Sequence, residues 1–353
     1  MKKIYTALGL MSGTSMDGVD ISIVQSDGEN NYNSIYDDYY EYKPPLYKNL
    51  INLRDKIIIN KDLDLLYEEI KSLEKEITLF HVKIVNEIAK NRDIDLIGFH
   101  GQTIYHNASE KISKQLGDGE LLSELTKKKV IYNFRENDLK NGGEGAPLTP
   151  VFHKMLAEKF NLTQRKISPS TQGIFINIGG ITNITRIDSD FNIYAQDCGP
   201  GMCLIDKWMR LNSKNKIDKD GKIACKGNIK NEIVRDYIMK THTLLKNYRG
   251  SLDVNDYNLS LVKNLSFEDG AASLTELTAV NTLEWAERYL VEETILILCG
   301  GGRKNKFLIE RMKKYGNHYF KGRLKMIDDF GIDGDYVESQ AFAYLAIRSF
   351  LKL

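Results

Sequence analysis

Cysteine is scarce in this chain, with four residues in 353, too few for a disulfide framework. Cys198 and Cys203 are the nearest pair, and their spacing is not that of a zinc knuckle. The six histidines are scattered, with no His-Glu-x-x-His pattern, so no structural metal is expected. An excess of one charge is missing too. Lysine and arginine number 49 against 48 aspartates and glutamates, a net charge of +1, which argues against a nucleic-acid partner. No apolar run reaches the length of a membrane span. The start, Met1-Lys2-Lys3-Ile4, leads straight into a strand without the apolar core of a signal peptide. These absences point to a cytoplasmic protein. No G-x-x-x-x-G-K-[ST] occurs either: Gly221-Lys222 is followed by Ile223, and Lys216 stands where the first glycine would be. No G-x-G-x-x-G follows a strand, which leaves the dinucleotide fingerprint and the protein-kinase loop unsupported.

What is present begins with Gly9-Leu10-Met11-Ser12-Gly13-Thr14-Ser15-Met16-Asp17-Gly18-Val19-Asp20. This run joins two apolar strands by a tight turn rich in glycine and hydroxyls. Glycine lets main-chain amides approach oxygens closely, successive N–H groups make a concave anion site, and Ser12, Thr14 and Ser15 add donors. Asp-Gly alone would justify an ordinary hairpin turn; Ser-Gly-Thr-Ser ahead of it favours a phosphate grip.

Short apolar runs predict strands at residues 5–11, 19–25, 96–100, 130–134, 173–178, 183–187, 193–196 and 294–299. Between them, residues 63–89 place Leu66, Ile70, Leu73, Ile77, Phe80, Ile84 and Ile88 at the spacing of an amphipathic helix. Helical patterns also cover 148–159, 204–211, 273–291, 305–314 and 337–353. Strands interleaved with helices predict an α/β fold. Residues 27–39 read as a surface excursion and 212–219 as a solvated loop.

A second strand-turn-strand, Asn177-Ile178-Gly179-Gly180-Ile181-Thr182-Asn183, resembles the first. A third glycine cluster, Gly300-Gly301-Gly302, ends a strand and opens a helix, a place suited to phosphate or ribose and equally to a capping turn. Two hairpins opening two halves suggest a duplicated domain with a phosphate cleft between. The layout resembles the actin, hexokinase and acetate-kinase architecture, in which two ribonuclease-H-like halves hold ATP through paired hairpins. The breaker cluster Asn141-Gly142-Gly143-Glu144-Gly145-Ala146-Pro147 suggests the boundary, giving domains 1–141 and 142–353, with the last helix packing back on the first.

The ordered motifs resemble one family, the anhydro-N-acetylmuramic acid kinases of bacterial cell-wall recycling. Besides the two hairpins they include Gly98-Phe99-His100-Gly101-Gln102-Thr103, Phe134-Arg135, Gly142 to Leu148, Asp197-Cys198-Gly199-Pro200-Gly201 and Ser251-Leu252-Asp253. Gly300-Gly301-Gly302 follows, and then Asp333 to Ala343. The resemblance implies an enzyme that opens the 1,6-anhydro bridge of its amino-sugar substrate with water while moving the ATP γ-phosphate to O6. It implies Asp197 as the base that takes the proton from water, although a strand-end aspartate before a helix also suits an N-cap. It implies Gly13, Thr14, Ser15, Met16, Asp17, Gly18, Val19 and Asp20 on the β- and γ-phosphates, opposed by Asn177, Gly179 and Gly180, with Gly300, Gly301 and Gly302 near the nucleoside.

Magnesium is expected with ATP, organised by Asp17 or Asp20. The substrate's lactyl carboxylate calls for a guanidinium, for which Arg135 is the candidate. Gln102 and Thr103 suit sugar oxygens, and Glu338 is a further substrate contact. His100 and His106 are left out of catalysis. Cys198, Met202, Asn133, Gly119 and Glu144 depart from the family's usual threonine, asparagine, aspartate, proline and glutamine. Oligomeric state stays open, a homodimer included. The alternatives are a kinase of another amino sugar or hexose on this fold, and an actin-like ATPase without sugar chemistry.

Overall fold

The computed structural model describes residues 2–13, 15–162, 171–247, 252, 254–291, 293–319 and 323–353. Thr14, Ser251 and Asp253 lie outside them. The chain divides into two compact units, Met1–Met155 with Tyr336–Leu353, and Leu156–Asp335.

In the first unit, β1 (Tyr5–Ser12), β2 (Gly18–Ser26) and β3 (Tyr32–Glu41) form an antiparallel meander. β4 (Leu96–Asn107) lies parallel to β1, β5 (Ile112–Leu116) folds back on its far half, and β6 (Lys129–Ile131) runs parallel to its near half. Leu8 and Leu10 of β1 and Val19, Ile21 and Ile23 of β2 pack with Leu50 and Leu53 of helix Pro44–Lys56 and with Ile77 and Val85 of helix Tyr67–Ala89. The helix predicted over 63–89 is two pieces, Lys61–Leu65 and Tyr67–Ala89, because Leu66 takes non-helical φ −103 and ψ 16.

Helix Val337–Leu351 packs on β1, β2 and β4. A methyl group on Gly9 would sit 1.9 Å from the Ser339 carbonyl oxygen, and one on Gly98 would sit 2.2 Å from that of Phe342. Only glycine permits so close a helix–strand approach.

The second unit repeats the plan. β7 (Thr171–Ile178), β8 (Ile181–Ile187) and β9 (Ile193–Pro200) make the meander; β10 (Glu293–Cys299) is parallel to β7, and β11 (Leu324–Met326) parallel to β10. Ile174, Ile176 and Ile178 of β7 meet Leu296 and Leu298 of β10 under Ala279 and Leu283 of helix Phe267–Glu287 and Leu308 and Met312 of helix Lys306–Tyr319. In each unit the first strand of a meander lies beside a parallel strand that is joined in turn by another. That is the ribonuclease-H-like order expected from the sequence.

Several expectations are corrected. Residues 27–39 are mostly β3, not an excursion. Its buried Tyr32 donates from its hydroxyl to Gln340 Oε1 at 2.6 Å, and Asp37 accepts from Ser22, Ser34 and Gln340. The loop at 212–219 is not wholly solvated. Asp218 is buried, and its carboxylate accepts the N–H groups of Ile223 and Ala224 at 2.9 Å each. The strand expected to reach Phe134 ends at Ile131, because Asn133 turns left-handed at φ 57 and starts helix Phe134–Lys140.

Candidate active site

The first hairpin is built by the β1–β2 pairing, which ends at Met11 opposite Asp20, while Ser12 still pairs with Gln102 of β4 and Gly18 and Val19 pair with β3. Met16 N–H donates to the Gly13 carbonyl at 3.2 Å, and Met16 itself is left-handed at φ 56. Met16 and Val19 point their side chains into the core, so only their main chain faces the turn. Ser12 Oγ and the Tyr42 hydroxyl share a buried hydrogen bond of 2.8 Å. The Tyr42 N–H donates to the Asp17 carbonyl at 2.8 Å, and Ser15 Oγ donates to the Asp17 carboxylate. Asp17 and Asp20 stay part-exposed beside Tyr39, whose hydroxyl is pushed up by burial and then by these carboxylates.

Gln102 is fully buried at the end of the stretch of β4 beside β1. Its Nε2 donates to the Gly13 carbonyl at 2.9 Å, which orients the amide, and its Oε1 has no hydrogen-bond partner among the described residues. Thr103 Oγ1 accepts from Gln115 Nε2 at 3.2 Å.

Arg135 is the second residue of helix Phe134–Lys140. Its Nε donates to His100 Nε2 at 2.8 Å and its Nη1 to the Gly145 carbonyl at 2.8 Å. Asp138 clamps the same turn by accepting from Gly145 N–H at 2.8 Å. Glu338 is the second residue of helix Val337–Leu351. Protein crowded around its carboxyl pushes its pKa up, and Arg135 pulls it back. Burial lowers both His100 and His106, His106 to about 4, with the Arg135 charge adding to the effect. The unit thus groups His100, Arg135 and Glu338, and ties Gln102 to the hairpin.

In the second unit, β9 does not stop at Gln196 as expected but runs through Asp197 to Pro200. Its register against β8 pairs Thr182 with Gly199 and Asn183 with Asp197, so Cys198 is the extra residue of a bulge. Bulges re-aim neighbouring side chains. Asp197 is half-buried, and its Oδ2 accepts the Leu252 N–H at 2.6 Å. It is not a helix cap: helix Cys203–Asn212 starts after Met202 with no side-chain cap. Asn281 Nδ2 donates to the Cys198 carbonyl at 2.8 Å and Thr278 Oγ1 to the Gly201 carbonyl at 2.7 Å, which fixes the Gly-Pro-Gly turn from helix Phe267–Glu287.

The Gly179-Gly180 turn is braced from behind. The Gly179 carbonyl accepts from Met202 N–H at 2.8 Å, and that of Gly180 accepts from Gly201 N–H at 2.9 Å. The Gly300 cluster closes on this hairpin, since a methyl on Gly300 would lie 2.3 Å from Asn177 Oδ1 and one on Gly302 would lie 2.3 Å from Ile178 Cγ2. Gly301 is exposed with nothing near its Cα on the side a methyl would take. The cluster does not open an α-helix directly. A 3-10 turn, Gly301–Lys304, intervenes, and Asn305 caps helix Lys306–Tyr319 by accepting from Leu308 N–H at 3.0 Å.

His100, left out of catalysis by the sequence reading as a structural histidine, holds Arg135. Arg303 escaped that reading. Arg303 is buried and donates to Asp328 at 2.7 and 2.9 Å and to Asp335 at 2.6 Å, with Asp333 3.4 Å away. It thereby accounts for the Asp333-Gly334-Asp335 motif. Only the glycines beside Arg303 hinted at it.

The model of one protein family, described as anhydro-N-acetylmuramic acid kinase, matches residues 5–353. A protein of that name from Pelagibacter ubique is 50% identical, over 100% of this chain and 94% of its own length. Another from Brucella canis is 36% identical, over 99% and 93% respectively. Among solved structures, the (R)-2-hydroxyglutaryl-CoA dehydratase component A of Acidaminococcus fermentans aligns with a TM-score of 0.47 at 11% identity, over 98% of each chain.

Proposed function

The chain belongs to the anhydro-N-acetylmuramic acid kinase family, and from that premise we propose how its residues divide the reaction. The enzyme is an ATP-dependent kinase of peptidoglycan recycling. It opens 1,6-anhydro-N-acetylmuramic acid with water and phosphorylates O6, giving N-acetylmuramic acid 6-phosphate and ADP.

Asp197 accepts a proton from water as the water oxygen bonds to the anomeric carbon. The bond from that carbon to O6 breaks, O6 bonds to the γ-phosphorus, and the phosphorus–oxygen bond to ADP breaks. The observation that carries this role is the carboxylate at a bulge, part-exposed and oriented by the Leu252 N–H rather than spent on a helix cap. A base so fixed loses little entropy on reaching the reactive geometry.

The Gly13–Asp20 turn supplies amides and hydroxyls to the β- and γ-phosphates, Thr14 among them. Asn177, Gly179 and Gly180 serve the phosphates from the second unit. Gly300, Gly301 and Gly302 lie against the nucleoside or α-phosphate. Among the described residues there is no cluster of three metal-ligating side chains. Magnesium usually binds through one or two carboxylates with phosphate and water completing its shell, and Asp17 and Asp20 at the hairpin fit that habit. Bound there, it would neutralise charge on the phosphates. Arg135 pairs with the lactyl carboxylate, Gln102 and Thr103 meet sugar oxygens, and Glu338 contacts the substrate.

Turnover in heavy-oxygen water tests the assignment. Bridge opening puts the label on the anomeric oxygen of the sugar product. Label appearing only in inorganic phosphate would mean futile ATP cleavage and overturn the reading.

A further inference from the structure

We infer that His100 is a positioning residue for substrate recognition: it is held as the Nδ1–H tautomer, so that its Nε2 lone pair fixes the guanidinium of Arg135. This rests on the proposed role of Arg135 toward the lactyl carboxylate.

The tautomer follows from the partners. Arginine Nε only donates, so His100 Nε2, 2.8 Å away, accepts. A carbonyl oxygen only accepts, so Nδ1, 2.7 Å from the Gly101 carbonyl, carries the proton. Both ring nitrogens are used, and the ring has no proton to exchange with substrate. An imidazolium would present an N–H to an N–H and lose the Arg135 contact.

The surroundings keep the ring neutral and still. His100 is buried, and burial together with the Arg135 charge drives its pKa well below the ordinary value. The Phe342 ring packs against it at 4.6 Å between centroids, and Phe134, next to Arg135, packs on the same Phe342 at 5.2 Å. Gly98, two residues before His100, admits the Phe342 backbone to the strand. One aromatic side chain thus supports both the acceptor and the start of the arginine's helix.

Arginine binds a carboxylate through paired, directional N–H groups, so its affinity depends on the angle of the guanidinium plane. Two of its donors are spent inside the protein, on His100 and on Gly145, and these set that plane. His100 therefore acts on affinity for a sugar bearing the carboxylate and not on the chemical step.

The test compares H100N, H100Q and R135A on two sugars, 1,6-anhydro-N-acetylmuramic acid and its analogue without the lactyl group. The H100N amide reaches Gly101 but not Arg135, whereas the H100Q carbonyl reaches the Arg135 Nε. H100N is expected to raise KM for the lactyl sugar about tenfold, the scale of one hydrogen bond to a charged group, with kcat little changed. KM for the analogue should stay level, and H100Q should restore most of the loss.

If R135A raises KM for the lactyl sugar and H100N does not, the His100 inference falls and the Arg135 reading stands. If R135A has no such effect, both fall. An equal loss of kcat on both sugars in H100N would make His100 catalytic and overturn the inference. A measurement on the unaltered enzyme covers the case of poorly folded variants. Nitrogen NMR of labelled histidine should report Nδ1–H at His100 at neutral pH, and an Nε2–H or doubly protonated ring overturns the inference.

Discussion

The N–H of Leu252 donates to Asp197 Oδ2 at 2.6 Å, joining residues 55 positions apart in the chain. A hydrogen bond from a loop amide holds the plane of a carboxylate that must meet water at a defined angle. D197N keeps the shape and an acceptor oxygen for Leu252 but cannot take a proton. Its kcat should fall by roughly 10²–10⁴, the usual worth of a general base, while its melting temperature and KM for ATP stay near those of the unaltered enzyme. Near-normal turnover of the anhydro sugar would remove Asp197 from the mechanism.

The Gly300 cluster separates folding from binding. Gly300 holds φ 78, and a methyl there would lie 2.3 Å from Asn177 Oδ1 and 2.8 Å from the Ile178 carbonyl oxygen. G300A should therefore destabilise the protein by about 1–3 kcal/mol through strain and overpacking. A methyl on Gly301 meets nothing within 4 Å. G301A should melt with the unaltered enzyme, yet raise KM for ATP by roughly three- to tenfold if the nucleotide approaches that backbone closely. Thermal melts beside ATP titrations settle it, and an unchanged KM in G301A would take Gly301 out of the nucleotide site.

How much of this was open to sequence reading depended on where each residue's partners lie. The strand-turn-strand at Gly9–Asp20 announces itself because glycines and hydroxyls interrupt two apolar runs, and adjacent residues make the structure. Helix Tyr67–Ala89 is legible for the same reason, its apolar positions recurring within one segment. β3 was not, because its buried contacts are polar: Tyr32 and Asp37 are satisfied by Gln340, some 300 residues later. An edge strand with tyrosines and aspartates on both faces carries no apolar alternation. Asp218 was misread likewise. Lysines and asparagines around it suggest solvent, but its carboxylate turns inward to organise the next turn. At the site, Asp197 and the glycine clusters stood out through motif, while His100 and Arg303 take their meaning from Arg135 and Asp328, which spacing does not bring near.

Gln102 ties β4 to the first hairpin through the 2.9 Å bond from its Nε2 to the Gly13 carbonyl. Q102E sets an acceptor oxygen against that carbonyl, and the hairpin must shift to relieve the repulsion. A loss of about ten- to a hundredfold in kcat/KM for ATP is expected, the scale of a buried hydrogen bond turned unfavourable. Steady-state rates with ATP varied at saturating sugar read it. Unaltered ATP kinetics in Q102E would mean that the hairpin holds its shape without this bond.

Asp206, on helix Cys203–Asn212, gives the fold a pH dependence of its own. Burial pushes its carboxyl up to about 7, with Asp218 adding to the rise and Arg210 opposing it. Its buried Oδ1 has no hydrogen-bond partner among the described residues. In the unfolded chain an aspartate titrates near about 3.9. Between about pH 4 and about pH 7 the native state therefore keeps a proton that the unfolded state has released. Stability from this group is greatest below that window, declines as pH rises through it, and is level above. A tenfold difference in proton affinity between the two states corresponds to about 1.4 kcal/mol, so the decline is on the order of 2–4 kcal/mol. D206N is neutral at every pH and lacks it. Melting temperatures of the two proteins from pH 4.5 to 8 should diverge in favour of D206N as pH rises; curves that stay parallel would show that Asp206 is ionised in the native state throughout.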